Sequence, residues 1–356
     1  MQWSSLVALA LVAGHADAML RFSCSELVVE RLDPLVFPGA NPSPHVHQIV
    51  GGDAFNVTMD PNRDLPAEST CTTCTFSEDF SNYWTASLYF RARDGTFHRV
   101  PQMANQFLDG AQGGMTIYYI QPYDGSRVTA FRPGFRMLIG NPTKRHNDNS
   151  LEAQQTSFRC FEANFGGPND APGTGGDTRD LPRRPCQGGI RSNIFFPTCW
   201  DGVNVDSPDH KSHVAYPSSG SFEFGGPCPA SHPVKIPQLF YEVVWDTRQF
   251  NDPNMWPTDG SQPFVFSYGD PTGYGQHADY VFGWRGDSLQ KAMDANCDVF
   301  CPELQSQSVD AANRCRKQKT VLESIDQTPW RQPSYAVTGP IGYTLINWES
   351  GLNSIG

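Results

Sequence analysis

Histidine is the side chain whose neutral-pH chemistry is easiest to read from spacing, and this sequence carries a close pair. His45 and His47 stand one residue apart in "NPSPHVHQIVGGDAFNVTMD" (41–60), just ahead of Gly51 and Gly52. Side chains alternate faces along a strand, so the two imidazoles would point the same way, with Val46 opposite. Neutral imidazoles on one face can share a Zn, Cu or Fe ion, or act as general base and hydrogen-bond donor. The glycines would let the chain turn sharply beside that face. A polar pair at a strand start after Pro44, satisfied by backbone or water, is the plain alternative.

Two further segments carry the same residue types. "CWDGVNVDSPDHKSHVAYP" (199–217) holds Asp201, Asp206, Asp209, His210, His213 and Tyr216. His210 and His213 could share a site within one helical turn, but Pro208 makes the stretch a loop in which directions cannot be read. A solvated acidic loop with Asp209 capping a turn fits equally. In "GDPTGYGQHADYVFGW" (269–284), His277 and Asp279 alternate, and an aspartate there could orient an imidazole or serve as an acid. The expected catalytic set is therefore His45, His47, Asp201, Asp209, His210, His213, His277 and Asp279. His45, His47 and His213 are the metal set, three ligands with an open position, and a divalent metal ion is the cofactor they could take.

The aromatics suggest a substrate. Tyr83, Trp84, Trp200, Tyr216 and Trp284 are expected as a substrate-binding rim able to stack on sugar rings, Trp84, Trp200 and Trp284 because they neighbour Asn, Asp or Gly; Trp245 in "YEVVWD" reads as core. Asp33, Asp201, Asp209, Glu242, Asp246, Asp270 and Asp279 offer carboxylates for a glycosidase-type pair, which only geometry can choose. No G-x-S-x-G elbow, Walker A, G-x-G-x-x-G or H-E-x-x-H is present.

The elements that must position these residues are strands. "YWTASLYFRA" (83–92), "GMTIYYIQPY" (114–123), "SNIFFPTCW" (192–200), "LFYEVVWDT" (239–247) and "PFVFSYG" (263–269) are β-branched and aromatic runs between Gly, Pro, Asn and Asp. That pattern predicts a mainly β fold, a disulfide-crosslinked sandwich or barrel-like single domain with long loops. One or two short C-terminal helices are expected, at Ser288–Asn296 with Asp287 or Ser288 as cap, and at Asp310–Ile325. The Gly/Pro/Asp-rich 164–185 segment reads as a long surface loop between Cys160 and Cys186.

Residues 1–18 read as a secretory leader, with an apolar run and Ala16-Asp17-Ala18 before the cleavage point. The domain then covers 19–326, and 327–356 forms an extended tail packed through Trp330 and Trp348. All ten cysteines follow the leader, which fits disulfides in an oxidising compartment. Cys71-Thr-Thr-Cys74 has no second C-x-x-C to complete a zinc site, so bridging is the better reading. Asn56-Val-Thr is the N-glycosylation sequon. A net charge of −11 without a basic cluster argues against nucleic acid, and no stretch reaches the about 20 apolar residues of a membrane span.

"RLDPLVFPG", "PHVHQIVGGDAFN", "STCTTC", "SNYWTASLYF", "FRPGFRML", "FPTCWDG", "HKSHVAYP", "GPCPASHPVKIPQLFYEVVWDT" and "GDPTGYGQHADYVFGW" follow one another between about residues 31 and 284. Together they resemble the secreted fungal family called domain of unknown function 1996. Its members are in some cases joined to carbohydrate-binding WSC modules, which implies a cell-wall or biomass setting without supplying a reaction. The expectation is a secreted carbohydrate-active enzyme, a hydrolase or lyase, whose partner is a polysaccharide or glycoconjugate. The alternative is a non-catalytic glycan-binding or wall protein. The sequence does not specify oligomeric state.

Overall fold

The computed structural model describes residues 19–104, 110–220 and 226–327. The expected leader, and the expected tail beyond residue 327 with Trp330 and Trp348, lie outside the described residues. The strands, in chain order, are β1 (Met19–Cys24), β2 (Val28–Glu30), β3 (His47–Gly51), β4 (Asn82–Ala86), β5 (Leu88–Arg91), β6 (Phe97–Arg99), β7 (Gln102–Met103), β8 (Met115–Ile120) and β9 (Arg136–Ile139). They continue as β10 (Thr156–Phe161), β11 (Gly189–Phe195), β12 (Cys199–Trp200), β13 (Val214–Ala215), β14 (Val234–Lys235), β15 (Gln238–Trp245), β16 (Phe264–Phe266) and β17 (Ala278–Val281). The helices are short: α1 (Leu65–Glu68), α2 (Leu151–Gln154), α3 (Ser288–Asp294) and α4 (Val309–Arg314).

Two antiparallel sheets face each other. The first runs β1-β8-β15-β11-β10, with β7 added against β15; the second runs β2-β3-β4-β17-β9. Alternation along the strands sorts their residues. Leu239, Tyr241, Val243 and Trp245 of β15, and Tyr83 of β4 with Ala278 and Tyr280 of β17, share the main core between the sheets. The opposite face of the second sheet carries Ile49, Trp84 and Val281, and it too is buried, under Leu32, Leu35, Phe55, Leu65 and Val321. The expected mainly β, disulfide-crosslinked architecture is therefore present, with each sheet buried on both faces. This matters for the site, because outward-pointing polar residues end up inside the protein.

Five disulfides fasten the loops: Cys24–Cys74, Cys71–Cys315, Cys160–Cys186, Cys199–Cys228 and Cys297–Cys301. Cys71 and Cys74 each pair elsewhere, so they form neither a redox couple with one another nor half a zinc site. The bridge flanking the 164–185 loop is the one suggested by its neighbours in sequence. Cys71–Cys315 closes 244 residues, and disulfides typically contribute about 2–4 kcal/mol, more for longer loops.

One helix departs from expectation. The helix read over Asp310–Ile325 is limited to α4, ending at Arg314 with Cys315 as its cap. Beyond it, Lys317 N–H donates to Leu27 O, and the Thr320 and Val321 amides donate to the Glu30 carboxylate. Backbone donors spent on neighbouring segments cannot sustain a helical ladder, so 316–327 lies as an irregular strap along β2. By contrast, α3 starts where the Asp287 cap predicted, and Trp245 is core as expected.

Candidate functional site

The outer face of the second sheet holds the histidines. His47 opens β3 and pairs with Ala86, Ile49 pairs with Trp84, and Trp84 pairs in turn with Asp279. This register places His47, Ile49, Trp84 and Asp279 on one face, with His277 delivered just ahead of β17. His45 sits two residues before His47 and shares its direction, the ring centroids 4.3 Å apart. Val46, between them, packs the other way against Tyr89 and Val265.

Backbone anchors fix the three rings. Ser267 Oγ donates to Val46 O at 2.6 Å, and Ser43 Oγ to His45 O at 3.1 Å. Thr85 Oγ1 donates to His277 O at 2.6 Å. The turn leading into His277 is shaped by buried Asp270, whose carboxylate accepts from the amides of Thr272, Gly273 and Gly275. Gly140 makes the close approach possible: its φ is +85°, and a Cβ there would stand 2.2 Å from Gln276 O.

His45 Nε2 and His277 Nε2 are 3.2 Å apart. One ring nitrogen from each of His45, His47 and His277 lies within 4.8 Å of the other two. Asp33 Oδ2 approaches His47 Nε2 at 4.0 Å, and its Oδ1 accepts the Val36 amide at 3.2 Å. His45 is 7% exposed; His47, His277, Asp33 and Asp279 are at 2% or less. Tyr268 packs edge-on against His45 and 4.8 Å from His277, centroid to centroid.

Burial sets the protonation states. It holds all three imidazoles below their ordinary range, His277 at about 4, and neighbouring histidines push His45 and His47 further down. It raises the Asp33 carboxyl to about 6. Asp279 is driven well above the carboxylate range by burial and by the charge of Asp33, against the pull of Lys211. At neutral pH the imidazoles are thus unprotonated, and they lie beside carboxyls whose charged form burial disfavours.

The remaining expected residues sit elsewhere. His213, placed in the metal set by its sequence, spends Nδ1 on Ser207 Oγ at 2.8 Å and Nε2 on Arg136 O at 2.9 Å. It is His277 that lies beside His45 and His47. His210 bonds Asp206 at 2.6 Å, Asp201 caps the Val203 and Asn204 amides, and Asp209 caps those of Lys211 and Ser212. These are turn-building roles, the plain reading of that loop. Leu138 N–H donating to His210 O nevertheless lays the loop along β9. Lys211 thereby comes near enough for its charge to act on His277 and Asp279.

The expected aromatic rim is not at the surface. Tyr83, Trp84, Trp200 and Trp284 are buried, and half-buried Tyr216 donates to Phe195 O. Of the other carboxylates, Glu242 accepts from Tyr118 on the outer face of the first sheet and Asp246 pairs with Arg248; Asp33 and Asp279 are the ones beside the histidines. The sequence reading overlooked Tyr268, Ser267 and Lys211. It counted Asp33 and Asp270 only as carboxylates. The Asp270-Pro-Thr-Gly-Tyr-Gly string is a turn signature that could have marked Asp270 as the residue shaping the approach to His277.

The family profile described as "Domain of unknown function (DUF1996)" matches residues 33–284, most of the chain, and the protein belongs to that family. No curated protein and no solved structure matches it. His45, His47, His277, Asp33 and Asp279 all fall inside the matched span.

Proposed function

We propose that this protein is a secreted enzyme acting on cell-wall or biomass polysaccharide, its reacting centre formed by His45, His47, His277, Asp33 and Asp279. One observation carries the reading: segments 33, 45–47 and 277–279, distant in sequence, converge on one site whose neighbouring groups are pushed in opposite directions. An unprotonated imidazole beside a carboxyl pushed toward its acid form is the arrangement a base and an acid need to act together. His45, nearest the surface, is the base in this reading, and Asp279 or Asp33 the acid. Five disulfides suit an extracellular setting, and among the described residues no helix is long and apolar enough to cross a membrane. The substrate class follows from the WSC modules that accompany some members of the resembled family. Hydrolysis and elimination use the same two roles.

The test is product formation from a panel of fungal and plant wall polysaccharides, read as new reducing ends and as unsaturated sugar ends. His45→Gln should lower turnover about a hundredfold or more, with the fold intact by circular dichroism. Wild-type protein that releases nothing, or a folded His45→Gln protein with full turnover, overturns the proposal. Burial of the cluster favours a second reading, a non-catalytic wall or glycan-binding protein with the histidines as an internal brace. It expects glycan retention without products, and only lost stability on replacing His47.

A further inference from the structure

We infer that His45, His47 and His277 together hold one divalent first-row transition ion. This deepens the reading above and rests on the same cluster, but its readout is ion content rather than turnover. Three separate observations support it.

The first is spacing. Two imidazole nitrogens bound at about 2.0–2.1 Å to a tetrahedral ion stand about 3.3 Å from each other. His45 Nε2 and His277 Nε2 are 3.2 Å apart, and the His47 nitrogen is within 4.8 Å of both. A rotamer adjustment of His47 would complete a three-imidazole face.

The second is the hydrogen-bond account. An N–H···N bond between His45 and His277 would satisfy those two nitrogens. It leaves His47 fully buried with the Leu32 carbonyl as its nearest backbone acceptor and neither ring nitrogen in good hydrogen-bond geometry, and Asp279 with neither carboxylate oxygen bonded. Each buried polar group without a partner costs about 1–3 kcal/mol. An ion accepting the His47 lone pair removes that cost, and a carboxylate beside it gains a counter-charge.

The third is the outer shell. His277 Nδ1 faces Gly275 O at 3.2 Å, so its N–H is spent there and the Nε2 lone pair is directed at His45. Asp33, held by the Val36 amide, lies 4.0 Å from His47 Nε2, one small shift from bonding it. A carbonyl or carboxylate on the non-ligating nitrogen is the usual support of a metal-bound histidine. Of the two buried carboxylates, Asp279 feels the positive charge of Lys211, and an ion would add further positive charge.

The donor set selects the ion class. Three neutral imidazoles suit Zn²⁺, Cu²⁺, Ni²⁺ or Co²⁺, whereas Ca²⁺ and Mg²⁺ prefer oxygen shells. No described cysteine is free to offer a thiolate; Cys24 and Cys74, near Asp79, are joined to each other.

The experiment uses the full secreted chain without a histidine tag. Metal content is measured by inductively coupled plasma mass spectrometry as isolated. The chelated protein is then titrated with Zn²⁺, Cu²⁺ and Co²⁺, following heat, melting temperature and the Co²⁺ visible spectrum. One equivalent with a tetrahedral Co²⁺ spectrum is expected, lost in His47→Ala and retained in His213→Ala. Asp33→Asn should weaken binding about 10–100-fold. Should His47→Ala fail to fold, His45→Ala at the edge of the cluster serves instead. Wild-type protein that takes up none of the three ions, or binds them equally in His47→Ala or His45→Ala, overturns the inference. Turnover without an ion would leave the enzyme standing and remove the metal; a bound ion without turnover would do the reverse.

Discussion

Asp79 offers a stringent test of the buried polar interior that supports the second sheet. Its carboxyl is fully buried, accepts the Tyr83 hydroxyl at 2.6 Å and the Ser81 amide at 3.0 Å, and is pushed by burial to about 7. Tyr83 continues to Tyr119 at 2.8 Å, and Tyr119 to Tyr280 at 3.1 Å, with Trp284 Nε1 donating to Tyr119. Because the folded value lies above the ordinary 3.8, the native state keeps a proton that the unfolded chain releases. The associated stability is full below pH 3.8, declines through pH 7 and is flat above. At 1.36 kcal/mol per pH unit the loss is about 4 kcal/mol. Asp79→Asn cannot titrate, so the stability difference between wild type and variant should shift by that amount, in the variant's favour, from pH 4 to pH 8. Urea unfolding of the disulfide-intact proteins, followed by tryptophan fluorescence at half-unit pH steps, measures it. A difference flat within about 1 kcal/mol, the uncertainty of such extrapolations, would refute a protonated buried Asp79.

Other consequences follow from individual residues. Gly140→Ala forces a side chain onto φ +85° and against Gln276 O; it should cost at least about 1–2 kcal/mol from the backbone alone and displace His277, read as a lower melting temperature together with lost ion binding. His213→Ala removes bonds to Ser207 and Arg136, about 1–3 kcal/mol in total, yet ion content and any turnover should stay within twofold once the protein is folded. Exposed Asn56 in its sequon should carry a glycan on protein from a secreting eukaryotic host, so that Asn56→Gln brings the intact mass to that of the polypeptide; an unchanged mass would rule out its use.

What the chain discloses in one dimension depends on whether the interaction is periodic or distant. Strand content was legible because alternation is a local property: Leu239, Tyr241, Val243 and Trp245 mark an inward face without knowledge of any partner. The common direction of His45 and His47 was legible for the same reason. The third histidine was not, because choosing between His213 and His277 requires knowing that β4 lies between β3 and β17, an arrangement joining residues 232 positions apart. His277 could be singled out as a candidate, but its partnership could not. The aromatic rim failed for a different reason. Polar neighbours such as Asn82 and Asp201 suggested exposure for Trp84 and Trp200, yet Asn82 is itself fully buried, its amide donating to Gly52 O. Polar residues signal the surface only when one sheet face meets water. Here Leu32, Leu35 and the Val321 strap cover the outer face, so the same packing that hides Trp84 removes His47 and Asp279 from solvent. A polar cluster hidden in that way is stable only if its groups find partners, which is why the unpaired Asp279 carboxylate and the poorly satisfied His47 ring say more for a ligand than the spacing of the histidines in the sequence.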